Sequence, residues 1–141
     1  MVIGYTTGVF DLFHVGHINI LQKSKSMCDK LIVGVSTDKL VLYKNKKPVI
    51  PFEERIQIVQ SIKYVDVAVP QESMDKIDAH ERYKFNIMFV GDDWYKDNKW
   101  KTYEEAFKKR EVRVVYFPYT KTTSSTLINS TLNNLREKNE K

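Results

Sequence analysis

The sequence predicts an α/β fold: a single domain on a five-stranded parallel sheet, doubly wound, with helices on both faces. Three observations carry that prediction. Five short runs rich in β-branched and aromatic residues recur along the 141 residues. Segments with apolar residues at helical spacing separate them. Glycine or proline punctuates several junctions. Strands that alternate with helices are joined by right-handed crossovers, which cover both faces of a parallel sheet.

The elements follow in order. Val2 to Thr7 is the first strand and ends at Gly8. Ile18 to Met27 is the first helix, with Ile18, Leu21 and the Met27/Cys28 pair near helical spacing. Leu31 to Val35 reads as a buried strand, and 36–50 as a loop. Pro51 suits the opening of a helix from Phe52 to Ile62, whose apolar positions Phe52, Ile56, Val59 and Ile62 step by three or four. Tyr64 to Val69 is the third strand, closed by Pro70. Ser73 would cap a helix from Met74 to Lys84. Ile87 to Val90 is the fourth strand, ended by Gly91. Tyr103 to Arg110 is helical and Val112 to Phe117 is the fifth strand. Ser124 or Ser125 would cap a last helix through Leu135. The domain is therefore expected over 1–135, with a charged tail over 136–141.

Composition narrows the setting. Hydrophobic residues at 42% and charged residues at 29% are ordinary globular usage, enough for one core. A net charge of +5 favours an anionic partner: nucleic acid, an acidic membrane surface or small phosphates. The single cysteine, Cys28, excludes an internal disulfide and a multi-cysteine zinc site, and suits a reducing compartment. Asp11, His14 and His17 do not suit a signal peptide. No apolar run approaches the roughly 18 residues that a membrane span needs. The expectation is a cytoplasmic domain with no membrane partner.

Doubly wound sheets bind ligands outside the carboxyl ends of their strands. That directs attention to 8–17, 36–50, 91–98 and 118–125. The first of these carries neither a dinucleotide fingerprint nor a P-loop. It carries His14 and His17 around Gly16, where a helix begins. Both imidazoles could face an anion at that helix terminus and donate to a phosphoryl oxygen as charge develops. Two other readings stand beside this one: zinc ligands, with His80 the third histidine, or histidines that only cap or pack.

Lys44, Lys46 and Lys47 are a solvated run or neutralise phosphates. Arg55 offers a guanidinium fork for a substrate phosphate, or is a helix partner or surface charge. Asp11 would orient its loop through backbone N–H groups, and Asp38 likewise. Asp66, with Lys63 as a salt-bridge partner, is a candidate behind the substrate. Asp93 could accept from a base amino group or a metal-linked water, and Trp94 could pack beside a ring. Thr120, Ser124, Ser125 and Thr126 either cap a helix or hold phosphate oxygens. Cys28 reads as a buried helix residue and His80 as a surface one.

The run Gly8-Val9-Phe10-Asp11-Leu12-Phe13-His14-Val15-Gly16-His17 resembles the signature of the small cytidylyltransferase family, within the HxGH nucleotidyltransferases. Ser36-Thr37-Asp38, Lys44-Asn45-Lys46-Lys47, Glu54-Arg55, Tyr64-Val65-Asp66 and Gly91-Asp92-Asp93-Trp94 follow in family order. The resemblance implies a Rossmann-like domain, a homodimer and a Mg²⁺-dependent reaction. It also implies direct attack of a substrate phosphate on the α-phosphate of CTP, with release of pyrophosphate and no covalent enzyme intermediate. Similarity to members acting on glycerol 3-phosphate implies CDP-glycerol as product, for a teichoic-acid-like or capsular polymer. By the same resemblance His14, His17, Lys44 and Lys46 would be catalytic. Thr7, Gly8, Val9, Phe10, Asp11, Gly16, Gly91, Asp93, Tyr119, Thr120, Ser124, Ser125 and Thr126 would join the histidines around the nucleotide. Asp38, Arg55 and Asp66 would serve the acceptor with the two lysines, and no residue is assigned as a metal ligand.

The family pattern before the last helix is Arg-Thr-Glu-Gly-Ile-Ser-Thr-Thr/Ser. Here Tyr119 stands for the arginine, Lys121 for the acid and Thr122 for the glycine. ATP in place of CTP, and another phospho-alcohol or phospho-sugar acceptor, are therefore the alternatives. A nucleic-acid-binding domain fits less well, because the positive charges gather at loops and no aromatic-basic motif appears. A nucleotide sensor without catalysis is disfavoured by the intact histidine pair.

Overall fold

The strands β1 (Ile3–Gly8), β2 (Lys30–Ser36), β3 (Val67–Gln71), β4 (Ile87–Gly91) and β5 (Arg113–Phe117) form one sheet in the order β3-β2-β1-β4-β5. All four pairings are parallel. The computed structural model describes residues 1–43, 47–91, 98–118, 128 and 130–135. The chain winds outward from β1 to β3, then returns to the other side of β1 as β4. The order switches between β1 and β4, and in sheets of this kind the ligand crevice lies beyond the strand ends at that switch, here beyond Gly8 and Gly91.

The helices are α1 (Val15–Ser26), α2 (Asp38–Tyr43), α3 (Phe52–Gln60), α4 (Lys76–Tyr83) and α5 (Asn98–Lys109). Period-two alternation in β2 shows how both faces are filled. Leu31, Val33 and Val35 join Phe10, Leu21 and Val59 in a core beneath α1 and α3. Ile32 points the other way, into a core with Tyr5, Phe85, Trp100 and Phe107 beneath α4 and α5. The Tyr5 and Phe85 rings stack with centroids 4.7 Å apart, and such a pair adds roughly 0.5–1.5 kcal/mol beyond its buried area. Gly34 makes room for that tyrosine, since a Cβ there would lie 2.7 Å from its hydroxyl oxygen. The expected single domain with a five-stranded, doubly wound parallel sheet is thus the observed one.

Several boundaries differ from expectation, each for a local reason. α1 begins at Val15 rather than Ile18, because His14 caps it. Residues 36–50 include the short helix α2, which was read as loop. The third strand is Val67–Gln71 and includes Pro70, paired with Val35. β3 is an edge strand, so a proline without an N–H is tolerated there. Asp75, not Ser73, caps α4: its carboxylate accepts from the N–H groups of Ile77 and Asp78. Ser73 instead receives the N–H of Asp75. α5 starts five residues earlier than the expected Tyr103. Cys28 lies just beyond α1, half-buried, with its thiol on the carbonyl of Ser24. Residues 130–135 are helical, as the last predicted helix requires. The proposed caps Ser124 and Ser125, and the tail 136–141, lie outside the described residues. No helix among the described residues is long and apolar enough to cross a membrane.

Candidate active site

The chain leaves β1 at the switch point and turns sharply. Phe10 and Leu12 adopt left-handed backbone angles, with φ of 55° and 49°. Bulky residues held there cost on the order of 1–3 kcal/mol each. Asp11, between them, supplies compensation. Its carboxylate accepts from the N–H groups of Leu12 at 3.1 Å, Val49 at 2.8 Å and Ile50 at 3.0 Å. The buried Phe10 ring anchors the other side of the turn in the core. Asp11 therefore orients its loop through backbone N–H groups, as its position suggested, and also ties that loop to the approach to α3.

His14 and His17 meet in a reciprocal cap at the start of α1. His14 Nδ1 accepts from the Gly16 N–H at 3.0 Å, and His17 Nδ1 accepts from the His14 N–H at 3.1 Å. The His14 carbonyl receives the N–H groups of His17 and Ile18. The ring centroids are 4.1 Å apart, and His17 also stacks on Phe13. A backbone N–H can only donate, so each Nδ1 is an acceptor and each neutral ring carries its proton on Nε2. Burial first, then the neighbouring His14, pushes the His17 pKa down to about 4 against a smaller opposing effect of Asp11. Burial lowers His14 as well. At neutral pH the pair is thus two uncharged Nε2–H donors with locked rings. Capping occupies Nδ1 of each ring and leaves Nε2 outside these bonds. The helix terminus itself is less open than expected, because His14 already occupies the Gly16 N–H.

Arg55 is placed differently from its expected role. Its side chain has no solvent exposure. Nε donates to the Ile50 carbonyl at 2.8 Å, and Nη1 to those of Val9 and Ser36, each at 2.7 Å. Nη2 meets Asp38 Oδ1 at 2.6 Å. A fork committed to three carbonyls and a carboxylate does not grip a substrate phosphate; it clamps the ends of β1 and β2 to the start of α3. Asp38 completes the clamp by accepting from the Phe52 N–H. Burial alone would raise its pKa, but the bonds from Arg55 and Phe52 and the Arg55 charge outweigh that and hold the carboxyl below its ordinary value. Asp38 thus acts within this clamp.

Asp66 is a clearer correction. It precedes β3, at the amino end of the sheet, opposite the crevice. There it accepts from Lys25 and from the Leu31 N–H, each at 2.7 Å. The expected partner Lys63 lies over the Tyr64 ring instead. His80 also differs from a simple surface residue: it packs edge-on against Phe85 and touches Arg110. Among the described residues no three His, Cys, Asp or Glu side chains gather as metal ligands.

Three polar residues escaped the sequence reading. Lys76, 6% exposed, donates to Thr7 Oγ1 at 3.0 Å at the end of β1. Gln71 accepts from Ser36, both buried. Thr6 donates to the Phe89 carbonyl. A cleft lies between Asp38, Leu42, Lys47, Pro48, Val49 and Pro51. Lys47 is therefore at its rim. Gly91 ends β4 beside the crevice. Lys44, Lys46, Asp93, Trp94, Tyr119, Thr120, Ser124, Ser125 and Thr126 lie outside the described residues.

The chain is similar to known proteins over most of its length. The family model described as cytidylyltransferase-like matches residues 5–134. The glycerol-3-phosphate cytidylyltransferase of Bacillus subtilis is 38% identical over 128 residues, covering 87% of this chain and 91% of that protein. The Staphylococcus aureus protein of the same name is 34% identical, covering 90% and 92%. An FAD synthase of Archaeoglobus fulgidus is 38% identical over 106 residues, 75% of each chain. Among solved structures, a lipopolysaccharide core biosynthesis protein from Thermoplasma volcanium superposes with a TM-score of 0.72 at 26% identity, covering 87% of this chain and 99% of that one.

Proposed function

From the premise that the chain belongs to the cytidylyltransferase-like family, we propose that it transfers CMP from CTP to glycerol 3-phosphate. The products are CDP-glycerol and pyrophosphate. The observation that carries this reading is the pair of neutral Nε2–H donors on His14 and His17. An acceptor phosphate oxygen attacks the α-phosphorus while the bond to the departing pyrophosphate breaks. Negative charge spreads over the phosphoryl oxygens, and preorganised donors stabilise it without reorganising. Low pKa values suit this task, because the rings are needed as donors and not as acids. The remaining assignments, Lys44 and Lys46 to phosphates and 119–126 to the nucleotide, rest on the family resemblance.

Mg²⁺ fits as the counterion of the triphosphate, whose charge it would neutralise when bound. Among the described residues the carboxylates beside the crevice, Asp11 and Asp38, are engaged by backbone N–H groups and by Arg55. The reading includes a homodimer and a cytoplasmic location.

A second reading has its own support. Tyr119, Lys121 and Thr122 depart from the nucleotide pattern, and relatives named FAD synthase match at comparable identity. It keeps the same transfer chemistry with ATP, or with another phosphorylated acceptor. Pyrophosphate release with Mg²⁺, measured for CTP and ATP crossed with glycerol 3-phosphate, phosphocholine, phosphoethanolamine and a sugar phosphate, separates the two. The first reading expects CTP with glycerol 3-phosphate to be fastest, and no turnover with that pair sinks it. Within the active pair, His14→Asn keeps a cap for the Gly16 N–H but removes the Nε2–H. It should lower kcat by about 10²–10³-fold with little change in nucleotide affinity.

A further inference from the structure

We propose that the Tyr5 hydroxyl and the Gln71 amide form a slot that reads a neutral hydroxyl of the acceptor, so that the chain selects a polyol phosphate over an amino-alcohol phosphate; the proposal rests on the transfer reading above. The slot lies between the sheet and α4, with Ala79 and Tyr83 on its helix side. Both groups sit on nearly enclosed residues, Tyr5 at 2% and Gln71 at 6% exposure. Gln71 Oε1 is engaged by the Ser36 hydroxyl. Neither Gln71 Nε2 nor Tyr5 Oη has a hydrogen-bond partner among the described residues. Among those residues no fully enclosed side-chain nitrogen or oxygen lacks a partner, so both atoms open into the slot that the two residues line. A polar group held this deep without a partner costs stability. Two of them around one cavity point to a ligand that completes them. Gly34 keeps the floor clear, because a Cβ there would lie 2.7 Å from the Tyr5 oxygen.

The donors and acceptors give the chemistry. Gln71 Nε2 can only donate. Burial first, then Tyr83, holds the Tyr5 proton above the ordinary tyrosine range against a smaller effect of Arg82. At neutral pH its hydroxyl therefore both donates and accepts. An ammonium only donates, and finds no acceptor on Gln71. A phosphate or carboxylate would meet Glu72, Asp75 and Asp78 at the rim, against Arg82 alone. A hydroxyl accepts from Gln71 and donates to Tyr5. The cavity measures about 40 Å³, room for a few water-sized groups at roughly 10–15 Å³ each. That suits a hydroxymethyl or diol end and excludes a nucleobase. Its place suits the acceptor. Glu72, Ser73 and Asp75 belong to the connection that leaves the carboxyl end of β3, on the β3 side of β1. Gly91, which the transfer reading gives to the nucleotide, ends β4 on the other side of β1.

The test is steady-state pyrophosphate release by the full chain, with Tyr5 intact or Tyr5→Phe, using CTP, Mg²⁺ and either glycerol 3-phosphate or propyl phosphate. Phe keeps the ring and removes the hydroxyl. Propyl phosphate keeps the phosphate and removes the hydroxyls. The expected result is a KM for glycerol 3-phosphate raised about threefold to tenfold, the size of one neutral hydrogen bond. The KM of CTP, and the KM or competitive Ki of propyl phosphate, should change less than about twofold. Gln71→Glu keeps an acceptor for Ser36, removes the N–H donors and should raise the same KM. The urea midpoint of Tyr5→Phe should stay, because the lost hydroxyl has no partner in the fold. An unchanged KM for glycerol 3-phosphate, as a slot that holds only water would give, overturns the proposal and leaves the transfer reading standing. An equal rise for both acceptors does the same. If Tyr5→Phe does not fold, the ¹³Cζ signal of Tyr5 in the unmutated protein decides. It should move with glycerol 3-phosphate and not with propyl phosphate, and equal responses overturn the proposal. An unmutated chain that prefers phosphoethanolamine to glycerol 3-phosphate overturns the slot and the choice of acceptor together, while cytidylyl transfer stands.

Discussion

Arg55–Asp38 and Lys25–Asp66 are ion pairs of nearly equal length, 2.6 and 2.7 Å, at opposite ends of β2. Arg55 binds the Ser36 carbonyl where the strand ends, and Asp66 binds the Leu31 N–H near its start. Length says nothing about their roles; surroundings do. The amino-end pair is exposed on both sides, at 30% and 38%, so water competes and the net gain is about 0–1 kcal/mol. The carboxyl-end guanidinium has no exposure and depends wholly on its protein partners, although its Asp38 partner is 43% exposed. Asp11, Ser36, Gln71 and Lys76 add further buried polar groups at that end. The chain concentrates costly buried polarity where a ligand would bind and leaves ordinary surface pairs at the other end.

The largest expected effect tests the carboxyl end. Arg55→Ala leaves the Val9, Ile50 and Ser36 carbonyls without their donor and releases Asp38. Asp38, 43% exposed, is then hydrated, but each buried carbonyl left without its donor costs about 1–3 kcal/mol of stability, read as a fall in the urea midpoint. Turnover should fall too, because Val9 and Ile50 flank the turn that carries Asp11. A loss below about 1 kcal/mol would erase the contrast between the two ends.

Arg55 also shows how much was legible in the sequence. The five strands, the winding and the histidine pair follow from local patterns, since strand period and helix spacing are short-range properties. The clamp does not, because its acceptors lie in β1, β2 and the approach to α3. One signal was available: Phe52, Arg55, Ile56 and Val59 share helical spacing, which places the arginine on the buried stripe of α3. A cation on an apolar stripe implies committed partners and not a free fork. Asp66 misled for a different reason. Motif order along the chain does not say at which end of a strand a residue lies, and β3 starts three residues later than expected, which leaves Asp66 before it. Lys76 was hidden because a lysine beside two acids looks like solvated charge until Thr7 is seen against it.

The next effect concerns protons at the same end. Free histidine titrates near 6.5, and His17 does so at about 4 in the folded chain. The unfolded chain binds more protons between those values, so stability rises with pH across the window and is lost as pH falls from 6.5 to 4. The loss is about 3 kcal/mol for that shift, and His14 adds to it in the same direction. A proton on His17 Nδ1 would face the His14 N–H and break the cap, so activity should fall with it. Urea midpoints at pH 7, 5.5 and 4 read the slope, and His17→Asn should flatten it. A slope that survives His17→Asn assigns the acid sensitivity to other groups.

The smallest expected effect lies at the amino end. Lys25→Ala removes the partner of Asp66 and a bond to the Asp29 carbonyl, yet the Asp66 charge left behind is hydrated, so about 0–1 kcal/mol is expected. Asp66→Asn keeps an acceptor for the Leu31 N–H and should behave similarly. Burial would raise the Asp66 pKa, but Lys25, the Leu31 N–H and the nearby positive charge hold it below the ordinary value. Its contribution is therefore present at neutral pH and fades only as pH falls through the carboxylate range. Neither variant should alter kcat or the acceptor KM, because the crevice opens at the other end of the strands. A selective rise in acceptor KM in Asp66→Asn would carry the site around the sheet edge to its amino end. The contrast between the two pairs would then describe two parts of one binding surface, because a weak, exposed ion pair would be shaping substrate recognition from the side the topology leaves without a crevice.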